Sequence, residues 1–127
     1  GDFSRRDIHT AAVQRHVPGT VIKFYGVVGT SFFRFYAEED RRIAPVAFSQ
    51  ARPGIEALVQ RMGLEVYGGD AVIGLDGQVS VIDVNDWPSF AYYRPEAAEA
   101  IGARIFSLAL NHSQRVVAAE QRKRVVR

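Results

Sequence analysis

The sequence contains no cysteine. That excludes disulfides, thiolate metal sites and cysteine nucleophiles, and it accords with a cytoplasmic location. No run approaches the roughly 18 consecutive apolar residues of a membrane-spanning helix, so no membrane partner is expected. The opening GDFSRRDIHT lacks the apolar segment of a signal peptide. Lysine is scarce: two stand against fourteen arginines. The formal net charge is only +2, with the excess gathered in Arg115, Arg122, Lys123, Arg124 and Arg127, so a uniformly basic nucleic-acid-binding face is not indicated. His9, His16 and His112 lack metal-ligand spacing. Neither Ser31 nor Ser89 has a base or nucleophile-elbow glycines nearby. Gly68-Gly69 is not followed by the lysine and hydroxyl residue of a P-loop.

What is present is an ordinary globular composition, 47% apolar and 24% charged over 127 residues, enough for one domain with a modest core. Residues 8–15 end a short helix or enter a strand, and His16-Val17-Pro18-Gly19 breaks whatever precedes it. Thr20 to Val28 and Phe32 to Tyr36, rich in aromatic and β-branched residues and separated by Gly29-Thr30-Ser31, predict a hairpin. Residues 38–42 make a polar turn or loop. Ile55, Leu58, Val59 and Met62 have helical spacing over Gly54 to Met62, with Gly63 placed to cap the end. Glu65 to Leu75 and Gln78 to Val84 flank Asp76-Gly77 and predict a second hairpin. Pro95 suits the first turn of a final helix whose stripe is Ala97, Ala98, Ile101, Ile105, Leu108 and Ala109. The order is ββ–α–ββ–α, an α+β domain with an antiparallel sheet. Trp87, Phe90, Tyr92 and Tyr93 are expected to pack, with some of them bordering a substrate pocket.

The second hairpin carries the chemistry. If Asp76 and Gly77 are its two loop residues, Asp70 lies directly opposite Asp83 on one face of the sheet. Asn85, two residues beyond Asp83, shares that face, and Val72 and Val81 form the next pair inward. Directly opposed carboxylates repel one another, and a hard divalent cation would offset the repulsion. A three-residue loop would misalign the two aspartates. The bland alternative is a pair of solvated aspartates at a strand end. Lys23 stands inside Val21-Ile22-Lys23-Phe24-Tyr25, where a charge needs a reason, and an ammonium on a flexible stem suits phosphate. A lysine on the wet face of a half-buried strand is the commoner case. Arg34 interrupts Phe32-Phe33-Arg34-Phe35-Tyr36 in the same way. Two cations on one hairpin facing two carboxylates on the other would form a phosphate–metal cleft.

The run Gly69-Asp70-Ala71-Val72-Ile73 through Val81-Ile82-Asp83-Val84-Asn85-Asp86-Trp87-Pro88 resembles the closing segment of ATP-grasp enzymes. There an acidic residue is followed by an acid-x-Asn motif and a proline loop. Ala12 to Gly19 resembles the hinge of that family, and Thr20 to Arg34 the strand pair after it. The similarity covers roughly residues 12–110. It is nearest to the ribosomal-protein-S6 glutamate-ligase type and the inositol trisphosphate kinase type.

The resemblance implies the C-terminal subdomain of an ATP-grasp fold, with the hinge at about 12–19 and a basic tail at about 115–127. By it, Asp70, Asp83 and Asn85 would hold Mg²⁺ bridging the phosphates of ATP. Lys23 would meet phosphate, and Gln14, Arg15, His16 and Val17 would line the adenine pocket. Arg34 would stabilise the transferring phosphoryl group. The implied activity is ligation of a small-molecule or peptide carboxylate to an amine through an acyl phosphate, or else phosphorylation of a small molecule. Ser89 departs from a common glycine, and Lys23 from a common arginine. Because complete enzymes of this kind have a substrate domain and a lid before the hinge, the resemblance implies a C-terminal fragment, inactive alone, that needs the N-terminal part of its protein. Self-association of the exposed apolar surface is a further expectation. Outside the family stand two other readings, a non-catalytic domain and nucleic-acid binding through the tail.

Overall fold

Residues 13–37 and 45–125 are described by the structure, a computed structural model; side chains are described for 13–37 and 48–122. The elements are β1 (Gly19–Val27), β2 (Phe33–Ala37), α1 (Pro45–Arg61), β3 (Val66–Gly74), β4 (Val79–Asp86), a short 3₁₀ turn (Ala91–Tyr93) and α2 (Arg94–Val125). The four strands form one antiparallel sheet in the order β2-β1-β3-β4. The expected α+β class and antiparallel sheet are therefore present. Of the element expected at 8–15, residues 8–12 lie outside the described residues and 13–15 have no regular structure. The loop at 38–42 also lies outside the described residues.

Alternation along the strands sorts their side chains onto two faces. Ile22, Phe24, Phe33, Ala37, Tyr67 and Ala71 pack with Phe48, Ile55 and Val59 of α1 on one side. Tyr25, Val27, Phe32 and Val66 pack with Phe90 and Ala97 on the other. The sheet is thus covered by α1 on one face and by the start of α2 on the other.

Several local signals explain the connections. Gly29 takes φ +72° in the β1–β2 turn, where Thr30 donates its N–H and hydroxyl to the Val27 carbonyl. Each helix sends an arginine to this corner. Arg52 donates to the Thr30 carbonyl, and Arg104 pairs with Glu65 at 2.8 Å while lying against Gly29. At the end of α1, Leu64 N–H bonds the Val59 carbonyl and Gly63 N–H bonds the Gln60 carbonyl. With Gly63 at φ +73°, this is the left-handed glycine cap expected from the sequence.

The first helix begins well before Gly54, the expected start, and runs through Pro53. Proline inside a helix forfeits one backbone hydrogen bond. Here the fully buried Phe48 and the half-buried Ala51 hold the preceding turns against the sheet, so packing overrides the local signal. Met62 proves half exposed and lies past the helix end.

Candidate functional site

The β3–β4 turn is where the site is decided. Gly77 N–H bonds the Gly74 carbonyl, Gly74 N–H bonds the Gln78 carbonyl, and Gly77 has φ +78°. The loop is therefore Leu75-Asp76-Gly77, three residues rather than the two expected. Asp76 Oδ1 accepts from the Gln78 N–H and steadies it. A three-residue loop alone would set Asp70 opposite Ile82. Instead a bulge between Asp70 and Ala71 in the ladder leaves Ile82 as an extra residue on β4, and Asp70 pairs with Asp83. The expected opposition of the aspartates is present, for a reason the two-residue argument lacked. Inward of the bulge the partners are Ala71 with Val81 and Val72 with Ser80, so the expected Val72–Val81 pair does not form.

Lys23 on β1 pairs with Asp70 on β3, and Tyr36 on β2 pairs with Lys23. A row runs across the sheet, Tyr36, Lys23, Asp70, Asp83, with Asn85 two residues along β4 on the same face. Lys23 Nζ lies 3.2 Å from Asp70 Oδ1, both side chains about one-third exposed (30% and 32%). The Asn85 amide nitrogen donates to Asp83 Oδ2, which leaves its amide oxygen for another ligand. Repulsion between the aspartates is thereby relieved at both ends by groups of the chain itself. A cation is not required to hold them together.

The bulge also accounts for the segment before β1. The Ile82 carbonyl accepts from Gln14 Nε2 at 3.2 Å, which brings residue 14 beside Asp83. Arg15 and His16 are exposed there, and Val17 is half-buried. Gly69 faces the α1 side between Phe24 and the Asp83 carbonyl, and an added Cβ would stand 2.1 Å from that oxygen. Gly68 lies beneath Pro88, 2.8 Å from where its Cβ would be. Neither glycine belongs to a phosphate loop. Their role is close backbone approach.

Arg34 is not brought to the carboxylates. It pairs with Glu96 of α2 through Nε at 2.8 Å and Nη2 at 2.5 Å, donates to the Phe33 carbonyl, and sits over the Phe32 ring. Its partner on β1 is Tyr25, two residues beyond Lys23. That places it about 7 Å along the strands and two strand spacings of about 4.8 Å across from Asp70. The two hairpins lie edge to edge in one sheet, so cations and carboxylates stand side by side on a face. They do not oppose each other across a cleft.

Two features escaped the sequence argument. Trp87, Phe90 and Ala91 all have positive φ, at 47°, 57° and 38°. Three such non-glycine residues in one loop store backbone strain next to Asn85. Phe90 and Tyr93 pack as expected, but Trp87 is 66% and Tyr92 67% exposed. The second feature is a tyrosine group: Tyr36 stacks with Tyr25 at 6.3 Å and meets Tyr92 edge-on at 5.5 Å. Burial chiefly, and then a hydrogen bond with Tyr25, pushes the Tyr36 hydroxyl up to about 12. Burial, with Glu56 adding, also raises Tyr67, whose hydroxyl has no hydrogen-bond partner among the described residues.

Both groups hold their protons more tightly folded than unfolded, so their stabilisation is full below about pH 10, where free tyrosine titrates. It is lost as pH rises through the folded values. Urea midpoints are expected to fall over the interval from 10 to about 12 that Tyr36 defines. Tyr36→Phe is expected to fall less steeply there; an identical slope would refute the assignment.

Among the described residues there is no group of three or more His, Cys, Asp or Glu side chains able to hold a metal, and no helix long and apolar enough to cross a membrane. No family model, curated protein or solved structure matches the chain.

Proposed function

We propose that the chain is the Mg²⁺–ATP-binding C-terminal part of an ATP-grasp carboxylate–amine ligase working through an acyl phosphate. The observation that carries this is the row Lys23, Asp70, Asp83, Asn85 on one face of the sheet, with Gln14 tied to the residue beside Asp83. The donor set suits the ion: Mg²⁺ takes oxygen ligands and binds through one or two carboxylates plus substrate phosphates. Two aspartates and an amide oxygen meet that need without a larger acidic cluster. When bound, the ion would neutralise phosphate charge. Lys23 would turn from Asp70 toward a phosphate oxygen, and residues 14–17 would border the adenine. Arg34, held by Glu96, would have to leave that pair to act on a transferring group. A kinase of the same fold would share all of this and differ in its acceptor.

One observation favours a non-catalytic domain instead: Lys23 and Asn85 already satisfy the aspartates. Three chains separate the readings by calorimetric titration of a Mg²⁺–ATP analogue, with Mn²⁺-induced NMR broadening as a probe of the metal alone. The wild-type chain is expected to bind nucleotide only with the metal, and Asp83→Ala to lose at least about tenfold in affinity, the scale on which metal-site changes act. Lys23→Met is expected to weaken nucleotide binding yet strengthen Mn²⁺ binding, because it removes the competing ammonium. If no broadening appears around residues 70 and 83, and no variant changes binding, the structural reading stands.

A further inference from the structure

The loop after β4 runs back over the strands it has just left. Pro88 lies against Gly68 of β3, the Phe90 ring is 5.9 Å from that of Tyr25 on β1, and the Tyr92 ring is 5.5 Å from that of Tyr36 on β2. Every second residue of the loop thus meets the next strand across. The loop forms a ledge beside the row Tyr36, Lys23, Asp70, Asp83. The positive φ of Phe90 and Ala91 belongs to this crossing. Strained backbone of that kind persists where surrounding contacts hold it, and it clusters at ligand sites.

At its β2 end the ledge closes on a group of polar side chains. Tyr36 pairs directly with Lys23 in the β1–β2 register. Its hydroxyl is close enough to Lys23, Tyr25 and Tyr92 to feel all three electrostatically. Tyr36 keeps its proton up to about pH 12, so in neutral solution it is an O–H donor with no charge of its own. Lys23 bonds Asp70 Oδ1, and an ammonium has three donors, so it can serve Asp70 and a ligand together. Arg34, two residues from Tyr36 on the same strand face, is paired with Glu96. Lys23 therefore supplies the positive charge here.

We infer that Lys23, Tyr36 and Tyr92 form a subsite for a carboxylate, at the β2 end of the row and apart from the Asp83 end. Charge selects this class of anion. One ammonium shared with Asp70 and two phenolic donors suit a single negative charge, whereas a phosphate dianion would meet the stronger repulsion of Asp70. The midpoint between Lys23 and Tyr36 lies two strand spacings, about 10 Å, from the midpoint between Asp70 and Asp83. One phosphoryl group fits between an ion at the second point and a carboxylate at the first, at near-attack separations of about 3–3.5 Å. The assignment of the subsite to the second substrate rests on the ligase reading. Tyr92, two-thirds exposed, leaves ring surface for the body of that substrate.

Amide NMR shifts of the whole chain, titrated with acetate, test this. Acetate is expected to move the signals of Lys23, Tyr36 and Tyr92 and to leave Asp83 and Asn85 in place. Tyr36→Phe and Tyr92→Phe are each expected to raise the acetate Kd about tenfold, the effect of losing one hydrogen bond to a charged group. Both keep the ring, so the signals of Phe48 and Val59 in the other core should not move. Inorganic phosphate is expected to bind these positions more weakly than acetate. Titration with the Mg²⁺–ATP analogue distinguishes the two sites. The tyrosine variants should bind the analogue as the wild-type chain does, whereas Asp83→Ala should lose it and keep acetate. Acetate binding at these residues in a chain that does not bind the analogue upholds the subsite and overturns the ligase reading. Analogue binding with no acetate response at residues 23, 36 and 92, or an acetate Kd that neither tyrosine variant changes, overturns the subsite and leaves that reading in place. Phosphate binding tighter than acetate overturns the assignment to a carboxylate.

Discussion

Phe48→Ala is expected to cost about 3–5 kcal/mol of unfolding free energy, the range for emptying a buried phenylalanine site. Phe48 is fully buried and is the aromatic anchor of α1. Its ring lies 4.9 Å from Phe35, 6.0 Å from Phe33 in a stacked pair, and 6.0 Å from Phe24. Those three residues belong to β2 and β1, so truncation opens a cavity where helix and sheet meet. The helix is ill-placed to compensate. Pro53 cannot donate to the turn before it, and the segment from Pro45 depends on tertiary contact more than on helical propensity. A domain of this size has about 5–15 kcal/mol in all, so the variant should sit near its unfolding threshold. Urea unfolding should show a lower midpoint at unchanged slope. A loss under about 1 kcal/mol would mean that α1 is not seated through Phe48.

The same helix marks a limit of sequence argument. Its second half was legible because Ile55, Leu58 and Val59 keep helical spacing and Gly63 supplies a cap. Its first half was not, because proline at 53 and glycine at 54 read as a start. Only the aromatic pocket formed by β1 and β2 explains why the chain is helical from Pro45. The two hairpins were legible for a simpler reason, since alternating aromatic and β-branched residues flank glycine-bearing turns. What no local pattern contained was the strand order. That β1 and β3 are neighbours is a long-range fact, and it turns an imagined cleft between hairpins into a row along one face.

For the site, the residue types and their shared face were legible from alternation alone. The register was not. Asp-Gly suits a two-residue turn, yet Gly77 serves as the left-handed third residue of a longer loop, and the extra residue at Ile82 restores the alignment. Bulges have no reliable sequence signature, so the agreement at Asp70 and Asp83 arises from two compensating departures. The role of Lys23 likewise depends on strand order. Opposite Asp70 it is an internal counter-ion, whereas one strand away it would be a lysine on a wet face.

Gly69→Ala is expected to disable the site and destabilise the fold together. Gly69 pairs with Val84, one position from the Asp70–Asp83 pair. An added Cβ would stand 2.1 Å from the Asp83 carbonyl oxygen and 2.8 Å from Phe24 Cζ. The ring of Phe24 can shift, but the carbonyl belongs to the β3–β4 ladder and can move only if β4 moves. Overpacking of this kind costs about 1–3 kcal/mol. Displacement of β4 would carry Asp83 and Asn85 away from Asp70 and disturb the bulge that Gln14 holds. The two obstructions are separable. Adding Phe24→Leu removes the aromatic one and leaves the backbone one, so the double variant should recover neither Mn²⁺ broadening nor the full midpoint. If Phe24→Leu restores both, the side chain alone was the obstacle, and the close approach of β3 to β4 is not what aligns the carboxylates.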